Sequence, residues 1–151
     1  MRVVCQRVTR ARVTVDGATT GEIERGLVVL LGVAHSDTGA DADRLAGKVA
    51  RLRIFEDSDG KFAHSLLDVG GAALVVSQFT LIADSRKQSG TRPDLSGAAP
   101  AAVAEPLYER FCERLTQAGV PVQTGRFGAR MALELVNDGP VTIILDVEGS
   151  G

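Results

Sequence analysis

Val3, Val4, Val8, Val13 and Val15 are β-branched residues interleaved with polar ones, a pattern that predicts a strand over the first fifteen positions. Asp16-Gly17 signals a hairpin turn, and Thr19–Ile23 returns as a second strand. Leu27 to Val33 is a continuous apolar run, the signature of a strand buried on both faces.

The period then changes. Asp37-Thr38 can cap a helix, and Ala42, Leu45, Ala46, Val49 and Leu52 recur at helical spacing, with Asp41, Asp43, Arg44, Lys48 and Arg51 facing elsewhere. Arg53-Ile54-Phe55 predicts a short strand that Asp57-Ser58-Asp59-Gly60 turns into a hairpin. Gly70-Gly71 breaks the chain before a strand over Ala73–Leu81. Residues 84–99 are polar and rich in Gly, Pro and Ser, a loop long enough to be functional or mobile. A second helix follows, with Leu107, Phe111 and Leu115 on one face and Pro106 in its first turn or kinking it. The last third predicts two strands, Met131–Val136 and Val141–Val147, joined by Asn137-Asp138-Gly139-Pro140. The expected fold is mixed α/β: a strongly curved or barrel-like sheet with two main helices packed on it, in a single domain spanning residues 1–151.

Composition sharpens this picture. Five Phe, one Tyr and no Trp leave the core to Val, Leu, Ile and Ala. No run of about eighteen apolar residues is present, so no membrane partner is expected, and the charged N-terminus does not read as a signal peptide. Cys5 and Cys112 stand in no metal or redox spacing and read as core residues of a reduced, cytoplasmic protein. A net charge of −2 does not advertise nucleic-acid binding, but Arg86, Lys87 and Arg92 make a local basic cluster in the long loop.

Several chemistries drop out. The Gly-Lys at Gly47-Lys48 has the wrong spacing for a phosphate loop, and Asp57–Gly60 lacks the rest of a calcium loop. His35 and His64, the two histidines, carry no zinc-ligand pattern, and there is no Gly-x-Ser-x-Gly elbow. A hydrolase built on this chain is expected to work without a metal or cofactor and without a histidine base. A serine hydrolase drawing His64 to Ser77 is the exception that folding would have to supply.

Two segments stand apart. Ser77-Gln78-Phe79-Thr80 ends an apolar strand with polar groups, where a sheet opens to a ligand or simply reaches the surface; its backbone N–H groups can receive an oxyanion. Gly139-Pro140 reads either as a tight turn or as a bond held cis that fixes the direction of the Gly139 carbonyl.

Ser77-Gln78-Phe79-Thr80-Leu81 and Asn137-Asp138-Gly139-Pro140-Val141-Thr142 resemble the signatures of the D-aminoacyl-tRNA deacylases, also called D-tyrosyl-tRNA deacylases. Gln6-Arg7-Val8, Leu67–Gly71 and Thr124–Gly128 extend the resemblance over essentially the whole chain. The stretch Gln88-Ser89-Gly90-Thr91 departs from it, which bears on loop conformation and tRNA contacts. The resemblance implies hydrolysis of the ester in D-aminoacyl-tRNA, and of mischarged glycyl-tRNA, by a homodimer with active sites at the subunit interface. Ser77, Gln78, Phe79 and Thr80 would form the catalytic segment, and Arg7, Phe127 and Met131 the substrate pocket. Gly139-Pro140, cis and reaching across from the partner, would reject L-aminoacyl-tRNA sterically. Arg86, Lys87 and Arg92 would touch tRNA phosphates. The competing reading is a non-catalytic dimeric module that binds RNA ends or a nucleotide.

Overall fold

The computed structural model describes residues 1–148. Its organising element is β1 (Arg2–Val15), which pairs antiparallel with β2 (Ala18–Ile23), β3 (Gly26–Gly32) and β8 (Ala132–Asp146). One strand serves three partners because β3 takes its first half, β2 its second, and β8 its other edge throughout. Beyond β3 the sheet continues in parallel through β6 (Ala72–Ser77) and β7 (Val122–Thr124).

Along β1 the alternation breaks at Thr9-Arg10, where two successive residues are exposed and the pairing with β8 shifts register between Val8 and Arg10. An irregularity of this kind flips every later side chain to the other face. Val3 and Cys5 enter one core and Val8, by ordinary alternation, a second, which Ala11 and Val13 join because of the shift. β3 and β6 divide between the same two: Leu27, Val29, Ala73 and Val75 face the first, and Val28, Leu74 and Val76 the second. The apolar run is thus a strand buried on both faces, ending at Gly32 with Val33 just beyond it. The second core is the inside of a nearly closed barrel. Gly21 permits this closure, since a Cβ there would lie 2.5 Å from the Thr124 carbonyl oxygen.

The first core lies between the sheet and two helices. α1 (Gly39–Arg51) starts at Thr38, whose N–H and hydroxyl both donate to Asp41, and it buries Ala42, Leu45, Ala46, Val49 and Ala50. α3 (Ala101–Gln117) buries Ala104, Tyr108, Phe111 and Leu115. Asp43 joins the two helices by accepting from Arg110 at 2.7 and 2.9 Å and from Arg114 at 3.1 Å. Those guanidinium groups hold its carboxyl far below the ordinary carboxylate range.

Several local expectations differ from the structure. Pro106 falls in the second turn of α3, not the first; it and Ala102, whose carbonyl loses its N–H partner, are exposed to solvent. The strand expected at residues 53–55 is β4 (Phe55–Glu56), which pairs with β5 (Phe62–His64). A one-turn helix, α2 (Leu66–Val69), and β7 had no clear sequence signal. β6 stops at Ser77, and Phe79–Ile82 is a 3-10 turn rather than strand. Most consequentially, the two strands expected in the last third are one. Asn137 and Thr142 face Val8 and Gln6 of β1, so residues 138–141 bulge out opposite Arg7 and the chain keeps its direction. No helix among the described residues is long and apolar enough to cross a membrane.

Candidate active site

A cleft of about 430 Å³ opens where β6 ends. Its rim is Ser77, Gln78 and Phe79, its floor includes Leu31 and Val76, and its far walls are Tyr108 of α3 and the segment from Phe127 to Leu133. The sheet is terminated by Gln78, whose N–H donates to the Leu31 carbonyl at 2.7 Å. The chain then tightens: Leu81 N–H donates to the Gln78 carbonyl at 3.2 Å, and Ala83 N–H to that of Thr80 at 3.2 Å. The N–H groups of Phe79 and Thr80 precede the first of these bonds, so the turn offers them no acceptor. They form a pair of backbone donors at the start of the turn, Phe79 on the cleft's rim and Thr80 next in the chain. The Gln78 side-chain amide donates to the Thr80 hydroxyl, and Phe79 is 59% exposed.

The walls have their own supports. The Tyr108 hydroxyl donates to the Val75 carbonyl at 2.7 Å, and its ring lies 5.7 Å from that of Phe127. Burial raises the Tyr108 phenol above its ordinary range, so it stays protonated. A Cβ on Gly125 would stand 2.5 Å from the Met131 sulfur, so this glycine makes room for Met131 beside the cleft. Phe127 and Met131 therefore line the same cleft as Ser77 and Gln78. Tyr108 was missed by sequence reasoning; the one signal was a sole tyrosine one turn from Phe111 on the helix face.

Gly139-Pro140 does not line this cleft. The bond is cis, and both residues are exposed on the bulge of β8. Ser77 is level with Leu31 and hence with Val3 of β1, whereas the bulge is level with Arg7. Four residues separate these levels, roughly 13 Å along the strand. Arg7 stands behind the bulge rather than in the cleft. Its side chain is buried and donates to the Asp138 carbonyl at 2.9 Å and the Ile54 carbonyl at 2.8 Å, and it pairs with Glu56 at 3.2 Å. Phe62 covers it, with the guanidinium 5.9 Å from the ring centroid. Asn137 closes the bulge from the other side, accepting from Val141 N–H at 2.7 Å and donating to the Thr142 hydroxyl at 3.1 Å.

Arg86, Lys87 and Arg92 are exposed on the long loop, and Arg86 is paired with Asp84 at 3.2 Å. The stretch from Gln88 to Thr91 folds on itself, with the Gln88 amide donating to the Gly90 carbonyl at 3.0 Å. His64 is exposed at the end of β5, and among the described residues no hydrogen bond links it to Ser77. Among the described residues, no three His, Cys, Asp or Glu side chains cluster as metal ligands.

Comparison with known proteins follows this geometry closely. A family model described as D-Tyr-tRNA(Tyr) deacylase matches residues 4–146. The chain is 58% identical over 147 residues to a D-aminoacyl-tRNA deacylase of Ruegeria pomeroyi, covering 97% of this chain and 100% of that one. It is 60% identical over 146 residues to a D-aminoacyl-tRNA deacylase of Thermomicrobium roseum, covering 97% and 94%. Among solved structures, the c-Myc DNA Unwinding Element Binding Protein matches with a TM-score of 0.90 and 42% identity over 98% of this chain and 99% of that one. A probable eukaryotic D-amino acid tRNA deacylase has the same fold, with a TM-score of 0.81 at 19% identity over 97% and 98%.

Proposed function

The chain belongs to the D-Tyr-tRNA(Tyr) deacylase family, and from that premise we propose that it hydrolyses the ester of D-aminoacyl-tRNA to free D-amino acid and tRNA. The observation that carries the reading is the pair of unpartnered N–H groups, Phe79 and Thr80, that open the turn beside a largely apolar cleft. An aminoacyl ester is already activated, so positioning and oxyanion stabilisation account for most of what a catalyst must add. The terminal adenosine enters the cleft, and the ester carbonyl oxygen meets the two N–H groups as negative charge develops on it. Water adds to the carbonyl carbon, assisted by the ribose 2′-hydroxyl. The carbon–oxygen bond to the ribose breaks, and the ribose oxygen takes the proton. Thr80 is not the nucleophile in this scheme: its hydroxyl accepts from Gln78, and no base among the described residues is hydrogen-bonded to it.

Chirality is filtered by a second copy. The outer edge of β8 has no partner strand among the described residues, and it leaves Ile144 61% and Val136 41% exposed. A long exposed edge with apolar side chains calls for cover. In a homodimer that covers it, Gly139-Pro140 of one protomer reaches the other's cleft, and its backbone carbonyls take the space of an L side chain. A D side chain points away and passes; glycine has none and passes too. Backbone carbonyls reject without reading side-chain identity, so many D-amino acids are accepted. Arg86, Lys87 and Arg92 meet acceptor-stem phosphates, and the work is done in the cytoplasm, where aminoacyl-tRNA is found.

A second reading, a dimeric module that binds nucleic-acid ends without turnover, is favoured by one observation: the 42% identical neighbour is named for binding DNA. One assay separates the two. Purified protein is expected to release tyrosine from D-Tyr-tRNA and not from L-Tyr-tRNA, with or without a metal chelator. Release from neither, with tRNA still bound, would transfer the assignment to the binding module.

A further inference from the structure

We infer that Arg2 is a positioning residue for the hydrolysis, holding the 3-10 turn so that the Phe79 and Thr80 N–H groups point into the cleft; this rests on the deacylase reading above. Arg2 is the Cα partner of Gly32 on one side and of Asp146 on the other. Its guanidinium faces two groups at once. Nε donates to Asp146 Oδ1 at 2.7 Å, Nη2 lies 3.5 Å from Oδ2, and Nη1 donates to the Leu81 carbonyl at 2.9 Å. Leu81 is inside the turn, two residues after Phe79.

The same turn is seated from beneath. A Cβ on Gly32 would lie 3.0 Å from the Gln78 carbonyl oxygen, 3.0 Å from Leu81 Cβ and 3.1 Å from Ile82 Cδ1. The turn therefore rests on bare backbone at Gly32 while Arg2, in register beside it, grips its central carbonyl. Asp146 locks the planar guanidinium in the orientation that reaches Leu81.

Stability is a weak reason for this arrangement. The Arg2 and Asp146 side chains are 40% and 51% exposed, and pairs so open to solvent contribute little. Water would satisfy the Leu81 carbonyl equally well. What water cannot do is fix the rotation of a four-residue turn. Oxyanion donors lose their effect when displaced by about half an ångström or by roughly 10–20°. Arg2 touches no substrate atom in this account. It acts through Leu81.

The experiment compares full-length wild-type protein with Arg2→Met, Arg2→Lys and Asp146→Asn in two measurements. On D-Tyr-tRNA, Arg2→Met is expected to lower kcat about ten-fold with KM within about two-fold, leaving the preference for D over L intact. Asp146→Asn is expected to lose less. Arg2→Lys recovers part of the loss, because an ammonium reaches one acceptor but cannot fork to both. By amide hydrogen exchange, Arg2→Met is expected to speed exchange at Leu81 and Ala83 about ten-fold, with β1 and β3 unchanged. A folded Arg2→Met variant with wild-type kcat overturns the inference, as does unchanged exchange at Leu81 and Ala83 or faster exchange across the whole sheet. Failure of the wild-type protein to release any amino acid would instead sink the deacylase reading, and the exchange result would still decide whether Arg2 holds the turn.

Discussion

Replacing Phe79 by proline removes one N–H donor and the phenyl ring from the rim of the cleft but leaves the turn intact, because proline is well tolerated at the first position of a helical turn. Phe79→Pro is predicted to lower turnover of a D-aminoacyl ester about 100-fold with the melting curve unchanged. Thr80→Ala, which removes a hydroxyl but no backbone donor, is predicted to keep turnover within about ten-fold of wild type. Loss of all turnover in Thr80→Ala with substrate binding intact would restore the threonine as nucleophile. At this scale the site was partly legible. Polar residues ending an apolar strand marked Ser77 to Thr80, and the resemblance marked Phe127 and Met131. Arg7 was named only by the resemblance, and within one chain it stands behind the bulge. Its buried fork to Asp138 and Ile54 depends on pairings 131 and 47 residues away, which no local pattern encodes.

Among the elements, α1 and α3 illustrate what local signals decide. Thr38 and the 3.6-residue spacing placed α1 to within a residue of its start, and only Leu52 at the end fell outside, as its cap. The join between the helices is tertiary, and it yields a prediction with a definite sign. Arg110 and Arg114 depress the Asp43 carboxyl, so its contribution to stability is present above the unfolded carboxylate value of about 4 and is lost as pH falls below it. Asp43→Asn is therefore expected to lower the melting temperature at pH 7, with the gap to wild type narrowing as pH is taken down to about 3. A gap that widens on acidification would refute this. β8 illustrates the opposite case. Asn-Asp-Gly-Pro carries every local mark of a turn, and only pairing of both flanking halves with the distant β1 keeps the chain running straight. β6 was overextended for a related reason. Phe79-Thr80-Leu81 suits a strand by composition, but Gly32 gives the chain a place to leave the sheet.

For the molecule as a whole, the barrel-like sheet and the two main helices followed from periodicity, while the two cores and the division of labour between the ends of β1 did not. The cleft is level with Val3 and the Gly139-Pro140 bulge with Arg7, so one chain holds both halves of the proposed site without bringing them together. The proposed homodimer would resolve this, and Ile144→Arg, placed on the exposed face of β8, is then expected to halve the mass seen by sedimentation and to lower activity with it. Wild-type protein that remains monomeric at micromolar concentration would contradict the arrangement.

The most direct test mixes subunits. Homodimers of Phe79→Pro are predicted to be nearly inactive, and homodimers of Pro140→Ala to release tyrosine from both D- and L-Tyr-tRNA. A hybrid dimer, isolated by two different tags, carries both defects in one site and neither in the other if the bulge acts across the interface. It is then predicted to release tyrosine from D-Tyr-tRNA alone. If the hybrid releases tyrosine from L-Tyr-tRNA as the Pro140→Ala homodimer does, the bulge serves its own chain's cleft and the two-copy site is wrong.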